Sequence, residues 1–218
     1  MAARRLRWGL TILLVSSLSA CAMAPADPPT VHRFPGGPDE IYANAYVIEG
    51  EAGIVVTDAL LTRSASRALR ERVDAFDKPL RAVIVTHGHP DHYGGITQLV
   101  EGLDDVAIVA IRGVDRIIRR DDALKGRRLA AFGIDWAETR TFPEVVVDDG
   151  ERLSFGDITL TAIDIGEGES HYDSVWLLST AEGDFAFVGD LVMEGVHAYT
   201  ADGHTGAWLE ALHDLAGC

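Results

Sequence analysis

Cysteine is almost absent from this chain, and the two that occur, Cys21 and Cys218, stand at opposite ends. Such a pair implies no disulfide framework, and it leaves no thiolate beside the histidines discussed below. Positive charge is scarce too: 19 Lys and Arg face 34 Asp and Glu, a formal net charge of −15. That balance argues against nucleic acid or an anionic membrane surface as a partner, since both repel an acidic protein. Long hydrophobic runs are also missing. The stretch Leu10 to Leu18 is too short to span a bilayer as a mature helix. No internal repeat or low-complexity tract stands out, and about 180 residues remain after the N-terminal segments, enough for one domain with a sizeable core.

What is present begins with a targeting segment. Arg4, Arg5 and Arg7 precede the apolar stretch, which ends in Leu18-Ser19-Ala20-Cys21. The last four residues resemble the bacterial lipobox, which implies an exported lipoprotein, lipidated at Cys21 and held at the periplasmic or outer face of a membrane by that anchor alone. A plain signal peptide cut near Ala20 or Ala24 is the alternative, and either way the chain is exported. Loss of residues 1–20 removes three arginines and takes the charge from −15 to −18. Residues 21–40 are expected to be a flexible tether, because Ala22 to Pro38 carries five prolines and two glycines.

The remaining residues, 41–218, read as one α/β domain. Tyr42 to Glu49 and Ile54 to Asp58 are strand-like runs joined by Gly50-Glu51-Ala52-Gly53. Thr62 to Phe76 has the 3.6-residue apolar period of a helix. Arg81 to Thr86 contains the continuous run Ala82-Val83-Ile84-Val85 expected of a strand buried on both faces. Val106 to Ile111 is a second such strand, followed by a basic helix over Val114 to Phe132, broken at Gly126. From Val145 onward, five short strands alternate with Gly-containing turns, and Gly206 to Leu215 closes the chain as a helix.

The chemistry is concentrated in Thr86-His87-Gly88-His89-Pro90-Asp91-His92-Tyr93-Gly94-Gly95. Three imidazoles and a carboxylate within six positions form a ligand set for zinc, or for manganese or iron. His87 and His89 lie two apart, so an extended backbone points both to one side. Pro90 favours that backbone in the residue before it. Asp91 and His92 follow at the start of an expected helix through Ile96, Leu99 and Val100, and so turn toward a second point nearby. One strand end could feed one or two ions.

This stretch resembles the signature of the metallo-β-lactamase fold superfamily. The resemblance runs from about Tyr42 to the end and implies an αββα sandwich of two mixed sheets with outer helices, holding one or two metals, usually zinc, between the sheets. It implies His87, His89 and His171 on a first ion and Asp91 and His92 on a second. Asp190, in Phe187-Val188-Gly189-Asp190-Leu191, would bridge them, and Asp58 would orient the ligands. With a single ion, Asp91 would be the catalytic proton acceptor. The family histidine stands four residues before the Ser that opens the next strand; here that position is Ser170, and the flexible Gly166 and Gly168 would have to absorb the shift to His171. Otherwise His171 faces substrate or solvent. Tyr93, His197 and His204 are candidate pocket residues, with Trp136 and Tyr199 adding aromatic surface. The family's closing strand and Gly-His-Gly loop have no counterpart before Cys218, so the last strand is expected to be missing. The implied function is zinc-dependent hydrolysis of a small-molecule ester, thioester, lactone or amide by a metal-activated water. The alternatives are a catalytically impaired or non-catalytic metal-binding lipoprotein fragment, and β-lactam hydrolysis.

Overall fold

Three apolar runs buried on both faces form the centre of the first sheet. In the computed structural model, which describes residues 27–216, these are β3 (Ile54–Thr57), β4 (Leu80–Val85) and β5 (Ala107–Ile111). They pair in parallel, and β6 (Val145–Val147) continues the parallel half. On the other side, β2 (Asn44–Glu49) and β1 (Thr30–Pro35) add antiparallel strands, giving the order β1-β2-β3-β4-β5-β6. The second sheet is antiparallel. Its order is β10-β9-β8-β7, from β7 (Arg152–Phe155), β8 (Ile158–Gly166), β9 (Asp173–Thr180) and β10 (Gly183–Phe187). Val47 and Val83 from one sheet share a buried core with Leu160, Ala162 and Trp176 from the other. Alternate positions of β8 point inward, which is the period-two signature of a sheet with one covered face. The helices α1 (Arg63–Asp74), α4 (Arg112–Ala131) and α5 (Thr205–Ala216) complete the αββα sandwich, with α2 (Pro90–Tyr93) and α3 (Ile96–Leu99) beside the histidine stretch.

Three local expectations change. Thr30–Pro35, read as tether, is strand β1, and its register runs from Thr30 opposite Glu49 to Pro35 opposite Asn44. The proline is tolerated because it closes an edge strand. Helix α4 continues through Gly126 without a break; a side chain there would meet Trp136 Nε1 at 2.8 Å, so the glycine serves close packing. The expected helix after Asp91 is split into α2 and α3, where the Gly95 N–H leaves the helix to donate to the Leu60 carbonyl, and close contact with Ser66 and Ala59 admits no Cβ there. Among the described residues no strand follows α5, and no helix is long and apolar enough to cross a membrane. The signal segment and Cys21 lie outside the described residues.

The segment between β1 and β2 is held by a buried carboxylate. Glu40 accepts hydrogen bonds from the backbone of Leu61 and Thr62 and from the Thr62 hydroxyl, at the start of α1. An anion at a helix N-terminus is favoured by the exposed amides and the helix dipole. Removing it strands two buried N–H donors at about 1–3 kcal/mol each. Glu40→Ala is therefore expected to lower the unfolding free energy by about 2–5 kcal/mol in urea titrations, whereas Glu144→Ala, at an exposed position, leaves it nearly unchanged.

Candidate metal centre

The two sheets meet at the end of β4. The Thr86 carbonyl accepts from both the backbone N–H and the hydroxyl of Ser174 on β9, at 3.0 and 2.6 Å, and His87 forms an isolated bridge with Asp173. From the neighbouring strand, Asp58 takes up the Thr86 N–H and hydroxyl through its carboxylate and lies 2.9 Å from His92 Nδ1. Asp58 thus ties three backbone segments together at a positive φ of 61°. By accepting the Nδ1 proton of His92 it fixes the tautomer that leaves Nε2 free for a ligand.

Three donor atoms stand in one triangle. His87 Nε2 and His89 Nδ1 are 3.2 Å apart, His89 Nδ1 and Glu169 Oε2 3.1 Å, and His87 Nε2 and Glu169 Oε2 3.5 Å. Four ligands at about 2.05 Å around a tetrahedral ion stand about 3.3 Å from each other. The triangle therefore matches one face of such a tetrahedron. Both Glu169 carboxylate oxygens are buried with no hydrogen-bond partner among the described residues. A carboxylate in that state is costly unless a cation satisfies it, and burial pushes its carboxyl pKa up.

A second set adjoins the first. His92 Nε2, also buried and without a hydrogen-bond partner among the described residues, lies 3.5 Å from Asp91 Oδ2 and 3.3 Å from Asp190 Oδ1. His87, His92 and Asp190 also converge as a group able to hold an ion. Asp190 is brought in by a turn whose Gly189, at φ 54°, passes so close to Thr86 Oγ1 and His87 Nδ1 that a side chain there would collide. Burial would raise the Asp91 carboxyl, but the charges of His92 and His89 outweigh it and hold the group below its usual range. Burial keeps His87 neutral, helped by the imidazoles around it. These residues fit one or two divalent ions, and they lie on the floor of a cleft of about 1440 Å³.

The structure does not bring His171 into either set. It sits one residue beyond Ser170, whose own side chain bonds the Tyr172 carbonyl, and its ring is directed to His204 at 2.8 Å. Glu169 stands where His171 was expected. The signal for it was a second carboxylate in Gly166-Glu167-Gly168-Glu169-Ser170, close enough to Ser174 for the loop to deliver it. Tyr93 is not a pocket residue: it is buried, bonds Asp122 and packs edge-on to Trp136. His197 lines the cleft, as does Tyr199, while His204 stands behind His171.

A sandwich of one mixed and one antiparallel sheet, not the two mixed sheets expected, with an imidazole and carboxylate cluster between them defines a class of metal-dependent hydrolases. Residues 38–216 match the sequence pattern of the metallo-β-lactamase superfamily, and the chain belongs to that family. Among solved structures, the metallo-β-lactamase from Pontibacter korlensis superposes with a TM-score of 0.63 at 17% identity, covering 89% of this chain and 84% of that one. Among curated proteins, the alkyl/aryl-sulfatase BDS1 of Saccharomyces cerevisiae is 33% identical over 96 residues, 40% of this chain and 14% of the relative. The (R)-specific secondary-alkylsulfatase of a Pseudomonas species is 36% identical over 97 residues, 42% of this chain and 15% of the relative. The chain thus spans about one seventh of the length of the curated relatives it matches.

Two measurements check the assignment of ligands. Glu169→Gln is expected to weaken zinc binding by more than about 100-fold in chelator competition, beyond the effect usual for an outer-shell partner. Metal uptake also displaces protons. Burial disfavours the His89 cation, but the hydrogen bond to Asp202 and the nearby Glu169 carboxylate push its pKa up to about 9. Zinc affinity is therefore expected to fall as pH drops from 9 to 6, by about tenfold per unit for each proton displaced, as read by chelator competition at fixed ionic strength.

Proposed function

We propose that this protein is a zinc-dependent hydrolase of small-molecule esters, with a sulfate ester of an apolar alcohol as its substrate. The observation that carries the hydrolase reading is the triangle of His87, His89 and Glu169, with its unpartnered carboxylate, beside the second group of His87, His92 and Asp190. Two features support the sulfate ester. The alkylsulfatases are named relatives over the part of the chain they match, and the cleft is flanked by Arg33, Arg120, Lys125 and Arg128, which suit an anionic group. Ile41, Tyr42, Val192 and Val196 add exposed apolar surface to the same cleft and suit the organic part.

A divalent ion bound here would supply hydroxide at neutral pH by lowering the pKa of water toward about 7. His87, His89 and Glu169 would hold the first ion, and His92 and Asp190, with Asp91 beside them, would hold a second. Asp58 keeps the His92 ring oriented with Nε2 toward the site. Asp91 stays ionised, so with one ion bound it accepts the proton released at the cleft floor. The arginines hold the anionic group so that the reacting bond faces the ligand sets. The Arg4 to Cys21 segment supports an exported protein anchored through a lipid on Cys21, which Cys21→Ser would release to the aqueous fraction.

The test is a panel on zinc-loaded protein: alkyl sulfates, carboxylic esters, thioesters, lactones and a cephalosporin. Sulfate release that disappears with a chelator is the expected result. Turnover of the cephalosporin alone, or of nothing, overturns the proposal. Arg128→Ala is expected to raise KM for alkyl sulfates several-fold while leaving kcat nearly unchanged, because it weakens binding of a group outside the reacting bond.

A further inference from the structure

The loop between Asp190 and α5 passes over the outer side of the first ligand set and makes four contacts there. Asp202 Oδ2 is 3.1 Å from His89 Nε2, the ring nitrogen that faces away from Glu169. The Tyr199 ring meets the His89 ring edge-on at 5.4 Å. His204 Nε2 is 2.8 Å from His171 Nδ1, and His204 Nδ1 is 3.2 Å from Glu167. The last pair ties the end of this loop to the segment that carries Glu169. The loop is anchored beyond it as well, since Trp208 donates to the His204 carbonyl through its backbone and to the Leu191 carbonyl through its indole.

We propose that His171 and His204 form a clasp that holds this loop against the centre, so that Asp202 sets the orientation of the His89 ring. Asp202 is a positioning residue: it accepts from Nε2 and turns the Nδ1 lone pair toward the point shared with His87 and Glu169. A ligating histidine whose second nitrogen is bonded to a carboxylate is fixed in tautomer and rotation and is a stronger donor. His171 then contributes to metal binding through the loop and not as a ligand. The inference rests on the reading of this centre as a metal site.

The experiment is zinc affinity and stoichiometry, by chelator competition and elemental analysis, with the absorption spectrum of the cobalt-loaded protein as a second readout. Asp202→Ala is expected to weaken binding by about 10–100-fold, the usual effect of losing an outer-shell partner, and to alter the cobalt spectrum. Asp202→Asn, which retains an acceptor oxygen, is expected to recover part of the affinity. His171→Ala and His204→Ala are expected to weaken binding equally, and the double variant no more than either, because both break one clasp. Each is expected to retain the wild-type number of ions. Unchanged affinity in Asp202→Ala overturns the inference while leaving the metal site intact. Loss of an ion in His171→Ala but not in His204→Ala overturns it too, by making His171 a ligand. Wild-type protein that takes up no metal overturns the reading of the centre itself.

Discussion

One carbonyl holds the two halves of this protein in register. The Thr86 oxygen at the end of the parallel sheet takes two hydrogen bonds from Ser174 at the start of β9 in the other sheet. Both partners are buried, so neither bond is exchanged freely with water and the sheets cannot slide past each other there without leaving donors unsatisfied. Everything at the centre follows from that contact. His87 and His89 leave the end of β4 immediately after it, and Glu169 arrives five residues before Ser174. The loop between is pinned by its own polar groups: the Ser170 N–H donates to Asp173, and the Ser170 hydroxyl is used on Tyr172. With Ser170 so engaged, its two neighbours part ways, Glu169 to the imidazoles and His171 to His204.

The centre is held together by contacts that make little sense without a cation. Several ionisable groups are withdrawn from water within one shell, and Glu169 and His92 each present an atom with no partner among the described residues. Low dielectric strengthens every interaction between them and raises the cost of each unmatched one. Asp58 offsets part of this by accepting from Thr86 and His92 together, at the cost of a strained backbone conformation. The fold thus stores an arrangement that an ion relaxes. Such a site is preorganised, because its side chains are fixed by the scaffold before any ligand arrives.

The cleft above it is built differently. Its floor lies at the ends of strands, whereas its walls come from α4, the β1–β2 segment and the loop before α5. Rigid elements fix the ligands and loops supply what meets a substrate, a division common where one scaffold serves several chemistries. Here the walls combine arginines with exposed apolar side chains. Ile41 and Tyr42 are held at positive φ, 55° and 63°, beside the buried Glu40 that pins their segment to α1. Consecutive non-glycine residues in that conformation are uncommon and persist only where the surroundings impose them.

How far the sequence reached can be traced residue by residue. The αββα class, the buried parallel strands and the pairing of His87 with His89 were all readable, because each depends on local period or on spacing within a few residues. Asp58 and Asp190 were readable through resemblance, since each follows a strand in a recognisable run. The strand Thr30–Pro35 was not, because the prolines and glycines around it imitate a tether and its partner β2 is required to reveal it. Gly126 looked like a break and Gly95 like part of a continuous helix, whereas the structure packs Gly126 against Trp136 without a break and divides the helix at Gly95. The third member of the first ligand set was the least accessible. In an extended segment a shift of one residue reverses the side on which a side chain emerges, and the order Glu169-Ser170-His171 fits either choice on paper. The sequence by itself determined that imidazoles and carboxylates of the right kind stand near one strand end. Only the tertiary structure decided between Glu169 and His171, because that choice depends on the hydrogen bonds from Ser174 to Thr86, which no local pattern connects.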